Sequence, residues 1–155
     1  MINTNIDKFD TAILRELQKN GRATIIELSQ LVGLSPSPVA RRLHNLEKAG
    51  FITGYTALLD EAKLGFGVSV FVSVQLDKQV DGALAAFEAA IKQYPEVVDC
   101  WLMTGNRDYM LRIAASGLDE FERFLVGTLT KVKGVSSIES SIPLRRVKSG
   151  LARTP

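Results

Sequence analysis

A chain of 155 residues, 46% hydrophobic with a formal net charge of +2, can bury one ordinary core or two small ones. No apolar run reaches the roughly 20 residues that span a bilayer, and the opening MINTNIDKFD lacks the features of a leader peptide, so a soluble, cytoplasmic protein without a membrane partner is expected. A single cysteine, Cys100, and a single histidine, His44, leave no intramolecular disulfide and no clustered Cys/His metal site, and no catalytic constellation or phosphate-binding glycine loop marks an enzyme.

Asp7 and Asp10 suit the start of a first helix, in which Phe9, Ile13, Leu14 and Leu17 form an apolar stripe before Asn20-Gly21 ends it. Thr24 followed three residues on by Glu27 is a capping box: the hydroxyl accepts a helical N–H while the carboxylate reaches back to the cap. Ile25, Leu28 and Leu31 then repeat on one side, and Gly33 stands where a left-handed cap is wanted. Ser35 as N-cap and Pro36 at the first helical position start a third helix at once, with Val39, Leu43 and Leu46 as its buried stripe and Gly50 closing it. Two short helices around a tight Gly turn are a helix-turn-helix, whose second helix enters the major groove of double-stranded DNA.

The outward residues of that second helix suit the task. Ser35 and Ser37 lie at its N-terminus, where free N–H groups and the dipole favour phosphate. Arg41, Arg42, His44 and Asn45 project from its first turns, and Arg and Asn pair with guanine and adenine edges respectively. Arg22, just before the capping box, is placed to reach a phosphate, with an ordinary exposed arginine as the alternative. Residues 1–60 carry 7 basic and 6 acidic side chains, residues 61–143 carry 8 and 11, and residues 144–155 carry 4 and none. So mildly basic a module binds DNA weakly as one copy, and linking several copies compensates. The run FITGYTALLD around Gly54 reads as a two-stranded wing, followed by a linker over 61–67.

From Phe66 the period changes to two. Phe66, Val68, Val70, Val72, Val74 and Leu76 share one face of a strand. Leu84, Phe87, Ile91 and Tyr94 supply a helical stripe to cover it, ending at Pro95. A second strand is expected over 97–104 and a third with Tyr109, Leu111 and Ile113 alternating, joined by the turn at 105–108. Asp119 and Glu122 suggest the cap of another helix carrying Phe121, Leu125, Leu129 and Val132, and a last strand follows Gly134 over 135–146. The order β-α-β-β-α-β is the ferredoxin-like arrangement, with two helices on one face of an antiparallel sheet, so the fold class is α+β. The other face mixes Phe71, Trp101 and Met103 with Ser69, Ser73, Gln75 and Ser141, which suits packing against a second subunit. Trp101 reads equally as an interface anchor or a core aromatic, and Cys100 as inert core thiol rather than redox sensor.

The stretch GLSPSPVARRLHNLEKAGFITGYTALLD, with MTGNRDYMLRI downstream, resembles the Lrp/AsnC family of feast/famine, amino-acid-responsive transcription regulators, over about Asp7 to Lys148. That resemblance implies a DNA-binding domain at 1–60, a linker at 61–67, an ACT-like effector and assembly domain at 68–148 and a tail at 149–155. It also implies pseudo-palindromic DNA sites, a small amino-acid-like effector, no cofactor, and dimers formed through the sheets and assembled into tetramers or octamers. In the family, the turn commonly reading Gly-Asp-Tyr-Asp-Tyr lines the effector pocket between subunits. Gly105, Asp108 and Tyr109 match it, whereas Asn106 and Arg107 depart from its acidic and aromatic residues. Asp108 would take the effector's ammonium group, and Arg107 or backbone N–H groups its carboxylate. Leu118, Ser140, Ser141, Ile142 and Pro143 fall at positions near the same site. The rival reading is a ligand-independent architectural DNA binder of the same fold.

Overall fold

The computed structural model describes residues 6–77, 81–148 and 153. They form two compact units that divide between Leu58 and Leu59, the second running Leu59–Arg146.

The first unit holds α1 (Lys8–Lys19), α2 (Ile25–Val32) and α3 (Pro36–Lys48). Its helix starts are set locally. Asp7 Oδ1 accepts from the Phe9 and Asp10 N–H groups at 2.8 and 2.9 Å, and Asp10 Oδ2 accepts from the Asp7 N–H at 3.1 Å. The Glu27 N–H donates to the Thr24 hydroxyl at 3.2 Å while the Thr24 N–H donates to Glu27 Oε2 at 2.7 Å. Gly33, at φ 70°, ends α2, and the Leu34 N–H then donates to Ser29 O at 3.1 Å, turning the chain into α3. Ile13, Leu28 and Val39 are fully buried and Leu17 and Leu46 nearly so, each contributing about 1.5–3 kcal/mol of burial.

Three expectations change in this unit. Leu31 is 62% exposed; Val32 packs on the core in its place, because the 3.6-residue period aligns residues 25, 28 and 32 more closely than 25, 28 and 31. Phe9 is half-buried beneath the Arg42 guanidinium, 5.5 Å from its ring centroid, and lies outside the core. Residues 51–60, expected as a two-stranded wing, contain no strand, a lone two-stranded hairpin being marginal at best. Tyr55 from this stretch instead donates to Glu47 Oε1 at 2.8 Å.

The second unit runs β1 (Val68–Leu76), α4 (Asp81–Ile91), β2 (Val97–Leu102), β3 (Tyr109–Ala115), α5 (Leu118–Gly127), a 3-10 turn (Leu129–Lys131) and β4 (Val135–Ser141). The sheet is antiparallel throughout, in the order β2-β3-β1-β4, which is the ferredoxin-like arrangement. Val70, Val72, Val74, Leu111 and Ile113 are fully buried under Phe87, Ile91, Phe121, Phe124 and Leu129. β1 starts at Val68, leaving Phe66 45% exposed, β2 stops at Leu102, and β4 stops at Ser141 before Pro143. The expected Asp119 cap does not form, because α5 begins at Leu118 with Gly117 as N-cap. Glu120 reaches back instead and accepts from the Ser116 N–H and hydroxyl, both at 2.6 Å.

The sheet face away from the helices carries Phe71, Ser73, Trp101, Met110, Arg112 and Glu139, by strand register. Trp101 is 45% exposed there, which removes the core-aromatic reading within one chain. Cys100 is likewise exposed on edge strand β2 rather than in the core. Partial burial, with Glu88 nearby, raises its thiol pKa, so the site does not favour a thiolate.

Candidate DNA interface and effector turn

With 3.6 residues per turn, Ser37, Arg41, His44, Asn45 and Lys48 fall on one side of α3, opposite buried Val39 and Leu46. All five are exposed, and the side chains of Arg41, His44, Asn45 and Lys48 engage no other described residue. Lys48 extends the set read from the sequence; its place two turns beyond Arg41 is the signal that points to it. Ser35 occupies the N-cap position without a side-chain cap bond. Pro36 and Pro38 remove two of the first N–H donors, so anion binding at this helix start falls to the two serine hydroxyls and the Ser37 N–H rather than to a row of amides. Arg22 is exposed in the turn before α2, its own N–H donating to Asn20 Oδ1 at 3.0 Å.

Arg42 does not belong to this face. Its Nη1 donates to Asp7 Oδ2 and Asp10 Oδ1, both at 2.8 Å, and its side chain is 28% exposed. The Asp10 and Asp7 bonds hold the guanidinium pKa above its ordinary value, against the opposing effect of burial. The Asp7 carboxyl is lowered, first by the Asp10 N–H bond and further by Arg42. Arg42 thus buckles α3 onto the start of α1, a role settled by residues 32 and 35 positions away and invisible in the helix periodicity.

The turn at 105–108 makes a second site, with a different division of labour from the one expected. Asp108 is 4% exposed, and its Oδ2 accepts the Leu76 N–H at 2.7 Å, where the β1–β4 register shifts. Its carboxylate therefore closes a strand bulge and is not presented to an effector's ammonium group. Tyr109 is 1% exposed, lies 4.6 Å from the Phe87 ring centroid and donates from its hydroxyl to Glu88 Oε1 at 2.8 Å; burial, then that bond, pushes its phenol pKa upward. Gly105, at φ 111°, and Asn106 are exposed at the tip. Arg107 reaches across the sheet end, donating to Ser137 Oγ at 2.5 Å and Glu139 Oε2 at 2.9 Å and more loosely to Gln75 Oε1 at 3.4 Å.

The remaining effector candidates do not meet this turn within one chain. Ser137 pairs with Gln75 beside the turn, whereas Ser141 pairs with Phe71, four strand residues or roughly 13 Å away. Leu118 follows β3 at that same far end, and Ile142 and Pro143 continue from it, all exposed. Ser140 instead borders a cleft of about 340 Å³ between α5 and β4, with Leu125, Val126 and Thr130 on one wall and Val135 and Ile138 on the other. Among the described residues no three His, Cys, Asp or Glu side chains converge as metal ligands, and no helix is long and apolar enough to cross a membrane.

A helix-turn-helix unit with an exposed polar face on its second helix, joined to a ferredoxin-like unit, defines a class of two-domain DNA-binding regulators. A family model for a winged helix-turn-helix DNA-binding domain matches residues 6–53, and one for the Lrp/AsnC ligand binding domain matches residues 69–152. The chain is 45% identical over 142 residues to the Bkd operon transcriptional regulator of Pseudomonas aeruginosa, spanning 92% of this chain and 93% of that protein. It is 36% identical over 144 residues to the leucine-responsive regulatory protein of Escherichia coli K12, spanning 93% and 88%. A transcriptional regulator from Neisseria meningitidis, solved as its L-Met complex, superposes with a TM-score of 0.90 at 38% identity, over 94% of each chain. The chain belongs to the Lrp/AsnC family. That membership makes it a DNA-binding transcription regulator and not an enzyme.

Proposed function

We propose that this chain self-associates through the open face of its sheet, presents paired α3 helices to pseudo-palindromic DNA, and changes its DNA affinity or multimeric state on binding a small amino-acid-like effector. The observation that carries the DNA half is the exposed stripe Ser37, Arg41, His44, Asn45 and Lys48, in which the four longer side chains engage no other described residue while Arg42 beside them is neutralised by two aspartates. Arg and Asn on such a face read guanine and adenine edges, and Lys48 and the serines suit phosphates. Two-fold pairing would set the half-sites about one helical turn of DNA, or a multiple of it, apart.

Support for the effector half comes from the L-Met held by the Neisseria relative and from the Lrp/AsnC ligand-binding match. With Asp108 and Tyr109 turned inward, this turn offers an effector the backbone at Gly105 and Asn106 and the Arg107 guanidinium. The candidates at the far end of β4 join it only from another copy, so self-association and effector binding are linked reactions. Residues 1–60 serve as the DNA-binding domain, 61–67 as linker, 68–148 as the effector and assembly domain and 149–155 as a tail. Two measurements test the reading. Arg41→Ala with Asn45→Ala should weaken binding to a duplex selected from a random pool by 10-fold or more, on the order of 1–3 kcal/mol per bidentate base contact. A thermal-shift panel of the common L-amino acids should yield a saturable rise for one chemical class. Unchanged DNA affinity in the double variant would remove α3 from the interface; intact DNA binding with no shift from any amino acid would favour the architectural reading.

A further inference from the structure

The chain enters the second unit through a clasp that the function described so far leaves unused. Residues 61–65 make one helical turn, closed when the Phe66 N–H donates to Glu61 O at 2.8 Å and the Gly65 N–H to Ala62 O at 3.1 Å, with Gly65 at φ 94° as the left-handed cap. This turn sets the Glu61 carboxylate against Arg112, which lies mid-strand on β3 and on the open face of the sheet. Arg112 Nη1 and Nη2 donate to the two Glu61 carboxylate oxygens at 2.9 and 3.0 Å, and Nε donates to Asp99 on β2 at 3.2 Å. All three guanidinium nitrogens are engaged, and the side chain is 18% exposed. A fork-on-fork pair fixes direction as well as distance, which a lysine's point charge does not do.

Upstream, Tyr55 is still held by Glu47 on α3, and residues 56–60 beyond it are all exposed and hold no helix or strand. Glu61 is thus where the linker is first seized by the sheet, well before β1 begins at Val68. We propose that Arg112 and Asp99 act as positioning residues for DNA binding, gripping Glu61 to fix the point and direction from which the linker leaves the sheet unit. Released, the free tether grows from residues 56–60 to residues 56–67. Effective concentration at a second half-site falls with about the 3/2 power of tether length, so lengthening from five to twelve residues costs roughly three- to fourfold. The inference rests on the reading of the protein as a self-associated binder of paired half-sites.

Glu61 lies in an exposed stretch, so Glu61→Gln and Glu61→Ala break the clasp without touching a strand, and they are the primary variants. Full-length protein is titrated with three duplexes: one half-site, two half-sites in phase, and two half-sites offset by about half a helical turn. The one-half-site affinity should match wild type, the in-phase affinity should fall roughly three- to fourfold, and the penalty for the offset should shrink. Arg112→Lys should shift the offset penalty in the same direction, since it keeps the charge and loses the fork. Glu61 variants with the wild-type affinity ratio and offset penalty would overturn the inference while leaving the paired-site reading intact. An equal loss on the one-half-site duplex would also overturn it, because the damage would then lie in the DNA-binding unit. A wild-type protein with no preference for two half-sites over one would remove the paired-site reading and this inference together.

Discussion

Asp108→Ala should damage the fold before it damages any ligand response. The carboxylate is 4% exposed and accepts the Leu76 N–H at 2.7 Å, while the Asp108 backbone N–H donates to Val74 O at 2.9 Å and its carbonyl accepts from Met103 N–H at 2.8 Å. Leu76 is itself 4% exposed, so truncation leaves its N–H buried at the bulge without that acceptor. A buried donor left unmade costs about 1–3 kcal/mol, and charge assistance puts this bond in the upper half of that range. Asp108→Asn can present an amide oxygen to the same N–H and should lose about half as much. Urea denaturation at fixed protein concentration reads both, as a lower midpoint at unchanged slope. Wild-type stability in Asp108→Ala, together with loss of an amino-acid response, would refute this reasoning and return the carboxylate to the effector.

Adjacent arginines should separate cleanly: Arg41→Ala is expected to weaken DNA binding and, if it meets a phosphate, to flatten the salt dependence by about one unit of slope. Arg42→Ala should leave that slope alone and lower the melting stability of the first unit by about 1 kcal/mol, through loss of its bonds to Asp7 and Asp10. Acid should open the linker clasp. The Glu61 carboxyl is held below its ordinary value of 4.5, chiefly by its Arg112 bonds, so its contribution is present at neutral pH and is lost as pH falls through the lowered value. Wild type and Glu61→Gln should therefore differ in stability at pH 7 and converge as pH falls through that lowered value; a constant gap into acid would contradict the ion pair's role. Tyr109→Phe should cost about 1 kcal/mol by removing the hydroxyl bond to Glu88, with amino-acid binding unchanged in a thermal-shift titration.

What the sequence made legible was local. The Asp7 helix start, the Thr24 capping box, the Gly33 turn and the alternation from Val68 through β1 are decided by neighbours a few residues apart, and each forms as its pattern implied, whereas the Asp119 cap does not. Two of the misreadings have distant partners. Arg42 looked like a recognition residue because its helix neighbours are polar, but Asp7 and Asp10 at the start of α1 claim it. Asp108 matched a family motif, yet a strand N–H 32 residues earlier determines where its carboxylate points. The Glu61 to Arg112 clasp spans 51 residues and left no trace in composition or period. Leu31 failed for a smaller reason: one residue is a step of about 100° around a helix, enough to carry a side chain from core to solvent.

The most direct test of the account is titration of the full-length protein onto a duplex bearing two in-phase half-sites, at fixed salt, with each common L-amino acid in turn. The account predicts that one chemical class shifts the midpoint or steepness of binding, and that the shift is absent on a single half-site. Identical curves with every amino acid, at undiminished affinity, would contradict effector control and leave an architectural DNA-binding protein.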